Sequence, residues 1–175
     1  NGGYRVLNGY IPFNDYWLVT GPLLDYLNAF FFFMSGTNWK SFIIHSSIFN
    51  SIISIATYFV FICLKLPKKF SIVYSIFFSI LFYPVVGTPF VDHHSTFFLI
   101  LAFYFFIFGL NKNENLYFIL IPLLFVLAFL SKQTPAVYGL FSILPLFIIF
   151  IFFDFKNNVK IIRPLVLGSI ISILF

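Results

Sequence analysis

The sequence predicts an all-α, polytopic transmembrane helical bundle with an external loop and an interfacial helix at its N-terminal side. Composition is the first sign. Hydrophobic residues make up 61% of the 175 residues and charged residues only 9%, with a mean hydropathy of +1.04. Soluble domains carry roughly 25% charged residues, so too little polar surface is present to cover a water-soluble globule. The second sign is arrangement: the apolar residues fall in long runs separated by short polar turns, as bilayer-crossing helices require. These features exclude a nucleic-acid-binding protein, a secreted disulfide scaffold and a disordered tail. The one cysteine, Cys63, lies inside an apolar run and supports neither an intrachain disulfide nor a Cys-based metal cluster.

The elements follow in chain order. Residues 1–20 are loop-like, punctuated by Gly2, Gly3, Gly9 and Pro12, and carry Arg5 and Asp15. Gly21-Pro22 is a turn signal with proline suited to a first helical turn. The helix that follows is interrupted by Asp25 and Asn28 before residues 30–34, which suits a helix lying in the interface. Gly36-Thr37-Asn38 ends it, and Trp39 and Lys40 suit the membrane boundary. Residues 1–40 thus form an external loop and interfacial helix, and 41–175 form five apolar segments with a sixth cut short. Residues 41–64 are long enough to cross, about 36 Å at 1.5 Å per residue. The remaining segments are 70–86, 96–110, 116–130, 136–153 and the short 165–175. Segments 96–110 and 116–130 are short for a full crossing. The chain starts at Asn1 without a signal peptide and ends within an apolar stretch, as expected of an internal piece of one larger membrane domain.

If the segments alternate, one side receives Lys65, Lys68, Lys69, Lys112, Lys156, Lys160 and Arg163, and the other Arg5, Lys40 and Lys132. Seven against three places the first set in the cytoplasm, so most of the net charge of +5 records topology. Asp15, Asp92, His93, His94 and Lys132 then share the non-cytoplasmic side. A carboxylate in an aromatic loop, as at Asp15, can hold a metal, orient a hydroxyl or act as a base; it can equally cap a turn. Asp92-His93-His94 follows a span directly. Imidazole and carboxylate suit Zn or Mn, but adjacent histidines in an extended segment point apart, which favours hydrogen bonding to a polar substrate. Asp15, His93 and His94 are therefore the candidates for a divalent metal. Lys132 can pair with a lipid phosphate as a compact point charge or snorkel from a helix end. His45, with Ser46, Asn50, Ser54 and Thr57, reads as a helix-packing stripe, and Asp25 as a surface charge in the interface. No Walker loop, HExxH, GxSxG or Rossmann glycine pattern occurs.

Residues 8–32, NGYIPFNDYWLVTGPLLDYLNAFFF, resemble the first external loop of the GT-C glycosyltransferases, in the protein O-mannosyltransferase-like and aminoarabinose-transferase-like branch. That loop carries a Gly-x-x-Pro-aromatic-x-Asp/Glu segment followed by Pro-Pro-Leu or Gly-Pro-Leu. Residues 129–135, FLSKQTP, are similar to a Leu-Thr/Ser-Lys-x-x-Pro element found later in such chains. The resemblance implies a hexosyl- or pentosyltransferase that uses a polyprenyl-phosphate-linked sugar and a lipid, glycan or protein acceptor. Its active site would face the exterior of a bacterial inner membrane. Asp15 matches the second acidic position of the loop, implying substrate or metal binding or a base; Arg5, Asp92, His93, His94, Lys132 and Gln133 are implied to contact substrate. The family's first acidic position lies upstream of the Gly-x-x-Pro segment and has no counterpart before Asp15, so activity is not expected of this stretch alone. A transporter or lipid-linked-sugar flippase is the competing expectation, with Pro84, Gly87 and Pro89 as its broken-helix site. A non-catalytic membrane subunit is a third.

Overall fold

The computed structural model describes residues 2–153, 155 and 159–174. Lys156, counted above among the cytoplasmic cations, lies outside the described residues, as do Asp154 and the chain ends Asn1 and Phe175. Among the described residues there is no named strand, only a single bridge from Pro12 to Tyr16. The helices are α1 (Gly2–Leu7), α2 (Leu23–Ser35), α3 (Trp39–Cys63), α4 (Lys68–Phe82), α5 (Val91–Lys112), α6 (Asn115–Ser131), α7 (Gln133–Phe153) and, after a 3₁₀ turn at Val159–Ile161, α8 (Ile162–Ile173). The all-α helical bundle expected from composition is present.

Three of these helices are long and apolar enough to cross a bilayer: α3, α5 and α7, with 25, 22 and 21 residues. At 13 and 17 residues, α2 and α6 are shorter apolar helices, and α4 has 15 residues. Three boundaries differ from those read in sequence. First, residues 2–7 are a helix rather than loop. Gly2 and Gly3 permit it, because a Cβ on Gly2 would strike the Asp25 carboxylate and one on Gly3 would sit 2.5 Å from Asn28 Cβ. Without side chains there, α1 lies directly on α2. Second, Asp92-His93-His94-Ser95 is the first turn of α5 and not a loop before it. That turn lengthens the segment read as 96–110 into a full-length span. Third, the segment read as 70–86 ends as a helix at Phe82, and residues 83–90 form a separate connection with Gly87 at φ +68°.

Helix α5 sits centrally, packed on α3, α6 and α7. The core gathers Ile53, Phe97, Phe98, Ala102, Phe106, Ile121, Ala128 and Phe147, with Phe106 and Phe147 stacked at 4.1 Å between ring centroids. Small residues set the closest approaches. Gly168 of α8 lies against the α6 backbone, and a Cβ there would stand 2.1 Å from the Ile119 carbonyl oxygen. The polar stripe of α3 stitches helices together. Asn50 Nδ2 donates to the carbonyl of Ser79 at 3.1 Å and to its hydroxyl at 3.0 Å, and the Thr57 and Tyr104 hydroxyls share a bond of 2.9 Å. Because α8 has no room to shift past the Ile119 backbone, Gly168→Val is expected to cost about 1–3 kcal/mol. Thermal unfolding of the detergent-solubilised full-length protein checks this, and an unchanged midpoint contradicts the packing described.

Candidate active site

The start of α3, the start of α5, the end of α6 and the start of α7 meet at one end of the bundle, under α1, α2 and the loop of residues 8–22. The loop is built on local hydrogen bonds. Phe13 N–H donates to Tyr16 O at 2.9 Å and Phe13 takes φ +67°. The Asp15 carboxylate closes the turn: Oδ2 accepts from Ile11 N–H at 2.7 Å and Oδ1 from Asn14 Nδ2 at 3.0 Å. The turn-capping role open to Asp15 in the sequence is thus occupied. Asp15 also stays exposed and, with Tyr4, Arg5, Asn8, Tyr10 and Tyr16, lines an open cavity of about 770 Å³. Arg5 lies over the Tyr16 ring, 5.0 Å from its centroid. The Tyr16 hydroxyl donates to Asp25 Oδ2 at 2.9 Å.

Asp25 is therefore not a bare surface charge. It is half-buried, and burial is the main cause that raises its pKa, opposed by the Tyr16 bond and by Arg5. Burial, then the bond to Asp25, pushes the Tyr16 hydroxyl up to about 12, so it serves as a fixed donor at neutral pH.

A second group forms where α5 begins. Helix α6 ends at Ser131, Lys132 is extended (φ −156°, ψ 128°), and α7 starts at Gln133. Lys132 Nζ contacts both Asp92 oxygens, at 2.7 and 2.9 Å. The pair remains accessible, with side chains 31% (Lys132) and 59% (Asp92) exposed. The Ser95 hydroxyl donates to the Lys132 carbonyl at 3.2 Å, which fixes the α6–α7 break against the first turn of α5. Gln133 is half-buried at the first position of α7. The two segments that carry the family resemblance also touch: a Cβ on Gly21 would stand 1.8 Å from the Leu130 carbonyl oxygen.

The histidines turn inward. His93 Nε2 donates to the Phe82 carbonyl at 2.9 Å. His94 and His45 are fully buried and face each other Nε2 to Nε2 at 2.9 Å. His94 Nδ1 donates to the Phe90 carbonyl at 3.0 Å, and His45 Nδ1 meets Asn28 Oδ1 at 2.9 Å. A carbonyl only accepts, so with Asn28 Oδ1 inward both Nδ1 atoms carry protons, and one further proton between the rings makes the pair cationic. Turning the Asn28 amide to present its NH₂ gives a neutral chain of donors instead. Either way the chain ties α2, α3 and α5 together, a link hidden in sequence because His45 and His94 lie 49 positions apart. The donor set does not suit a divalent metal. Among the described residues no group of three or more His, Cys, Asp or Glu side chains converges; His45 and His94 have both ring nitrogens bonded within the protein, while His93 Nδ1 is buried without a partner.

Apolar helices long enough to cross a bilayer, with a polar, accessible pocket at one end, are the architecture of a polytopic membrane protein. The family described as dolichyl-phosphate-mannose-protein mannosyltransferase matches residues 19–175. The chain belongs to that family and is an integral membrane glycosyltransferase of the GT-C type. The match begins at Val19, within the loop of residues 8–22 and after both Arg5 and Asp15. No curated protein and no solved structure matches the chain.

Replacing His45 with Leu would leave His94 Nε2 and the Asn28 amide without their buried partner, at an expected cost of about 1–3 kcal/mol. Asn28→Leu should cost a similar amount. Because both act on one chain, the double variant should lose less than the sum, as read from melting temperatures; additive losses would show that the chain is not a unit.

Proposed function

We propose that this chain is part of an enzyme that transfers a sugar, a hexose or a pentose, from a polyprenyl-phosphate donor to an acceptor hydroxyl on the non-cytoplasmic face of a bacterial inner membrane, the stretch alone being inactive. The observation that carries this reading is the partition of charge between the two ends of the bundle. The described residues at the α3–α4 turn, the α5–α6 turn and the start of α8 include Lys65, Lys68, Lys69, Lys112, Lys160 and Arg163 against the single acid Glu114. The opposite end holds Arg5, Lys40 and Lys132 balanced by Asp15, Asp25 and Asp92. By the positive-inside rule the balanced end faces away from the cytoplasm, and that end has the cavity lined by Arg5, Asp15 and Tyr16. Residues 1–40 would then be its external cover and 41–175 the membrane part of one domain.

In this reading the donor's anomeric carbon is displaced by the acceptor hydroxyl, whose proton passes to a carboxylate as the lipid phosphate departs. Lys132 is the nearest candidate to neutralise the departing phosphate, exchanging Asp92 for a phosphate oxygen. Arg5 offers a second cation, and Asp15 beside it binds the acceptor or takes its proton. Gln133 and the exposed edge of the α5 turn contact the substrate. His93 and His94 support that turn from below. The connection of residues 83–90 joins two separate helices rather than breaking one at mid-membrane, which favours this reading over a transporter.

Transfer from a polyprenyl-phosphate sugar by the full-length protein tests the assignment. Lys132→Ala is expected to lower kcat about 100-fold or more, and Asp15→Asn to reduce kcat/KM at least tenfold. Transfer within twofold of the parent in both variants would sink it. Cysteines introduced at Val85 and Lys69 should be labelled from the exterior and the cytoplasm respectively; the reverse pattern would overturn the orientation.

A further inference from the structure

We propose that the basic end of the bundle carries a binding site for the headgroup of an anionic glycerophospholipid, between the α5–α6 turn and the start of α8. A cavity of about 870 Å³ opens there. Its rim is polar and cationic: Asn113 and Asn115 come from the turn, Lys160 from the 3₁₀ turn and Arg163 from α8. Its wall is apolar, formed by Ile119 of α6 and by Val166, Leu167 and Ile170 of α8.

The rim is suited to an anion. Lys160 Nζ spends one of its three protons on Asn113 Oδ1 at 3.2 Å. Among the described residues neither Lys160 nor Arg163 has a salt bridge, and no carboxylate lines the cavity. Arg163, at the second position of α8, presents a planar fork matched to two phosphate oxygens, while Lys160 supplies a compact charge beside it. The Asn115 amide is a further donor for a headgroup hydroxyl.

The wall distinguishes a lipid from a free anion. Val166, Leu167 and Ile170 stand 52%, 48% and 56% exposed and run down α8 away from Arg163. Seven residues separate Arg163 from Ile170, about 10 Å of helix, which matches a phosphate held at the surface with its acyl chain descending along α8. Gly168 keeps α8 tight against α6, so the cavity is a fixed groove rather than a gap between loose helices. Basic pockets between spanning helices at the cytoplasmic surface are where anionic headgroups bind. The site lies at the opposite end of α6 from Lys132, 17 residues or about 26 Å of helix away. It is therefore separate from the sugar-transfer site and rests only on the orientation proposed above, in which the basic end faces the cytoplasm.

The test uses the full-length protein in a neutral detergent, with melting temperature and native mass spectrometry as readouts. Dioctanoyl-phosphatidylglycerol, dioctanoyl-phosphatidylcholine and inorganic phosphate are the three probes. Phosphatidylglycerol should bind and raise the melting temperature, while phosphatidylcholine and inorganic phosphate at equal concentration should not. Lys160→Gln/Arg163→Gln should weaken phosphatidylglycerol binding about tenfold or more without changing the melting temperature in phosphatidylcholine. Arg163→Gln alone provides the reading if the double variant does not fold. Lys65→Gln/Lys68→Gln, on the neighbouring turn, should bind as the parent does. Equal binding of phosphatidylglycerol by the parent and by the Lys160 and Arg163 variants would overturn the site. An equal response to inorganic phosphate would overturn the lipid as its occupant.

Discussion

A polar side chain placed among apolar helices must find a partner there, because neither hydrocarbon nor a packed core will hydrogen-bond it. Much of this bundle's geometry follows from that requirement. Helix α3 carries His45, Asn50 and Thr57 on its buried side, and each reaches a neighbouring helix: α2 and α5 through His45, α4 through Asn50, α5 again through Thr57. Bonds from three residues along one helix fix both the rotation of α3 and the depth of the helices around it. Apolar contacts alone, here between many interchangeable phenylalanines, would specify neither as sharply. At the N-terminal end of α3 the same requirement holds α2 in place over α3 and α5, and thereby the loop that carries Asp15.

The two ends of the bundle solve different electrostatic problems. At the balanced end, charges lie close to opposite charges or to hydrogen-bond donors: Lys132 with Asp92, Asp25 with Tyr16, Asp15 with Ile11 and Asn14. Such groups are held in position by their partners. At the basic end the cations are mostly left to water and lipid, where an excess of one sign gives orientation rather than local geometry. A single net charge therefore conceals two arrangements, and only the balanced one has the precision that chemistry needs.

Much of the fold was legible because the long apolar runs are physically required to be helices in a bilayer. Boundaries were misread where a polar group sits inside a helix. Asp92-His93-His94-Ser95 looks like a loop by hydropathy. The first turn of a helix, however, has free N–H groups and a positive end that favours Asp92, and pairing hides the histidines' polarity. The α1 helix was missed for the opposite reason: Gly2 and Gly3 read as helix-breaking, yet their lack of side chains is what lets α1 seat on α2. Of the candidate site, Asp15, Arg5, Asp92 and Lys132 were visible as charges in turns. Tyr16, Asn28 and the His45 link were not, since each acts through a partner distant in sequence, and no local pattern announces it.

The arrangement around Gly21 shows how the two halves of the site depend on each other. Its backbone lies against the Leu130 carbonyl, two residues before Lys132 and one before the end of α6. The loop that presents Asp15 is thus anchored to the helix junction that presents Lys132. That junction is anchored in turn to the first turn of α5 by Ser95 and Asp92. Displacing any one of these three pieces moves the other two. The acidic loop and the basic junction are consequently set in relation to one another by backbone contact.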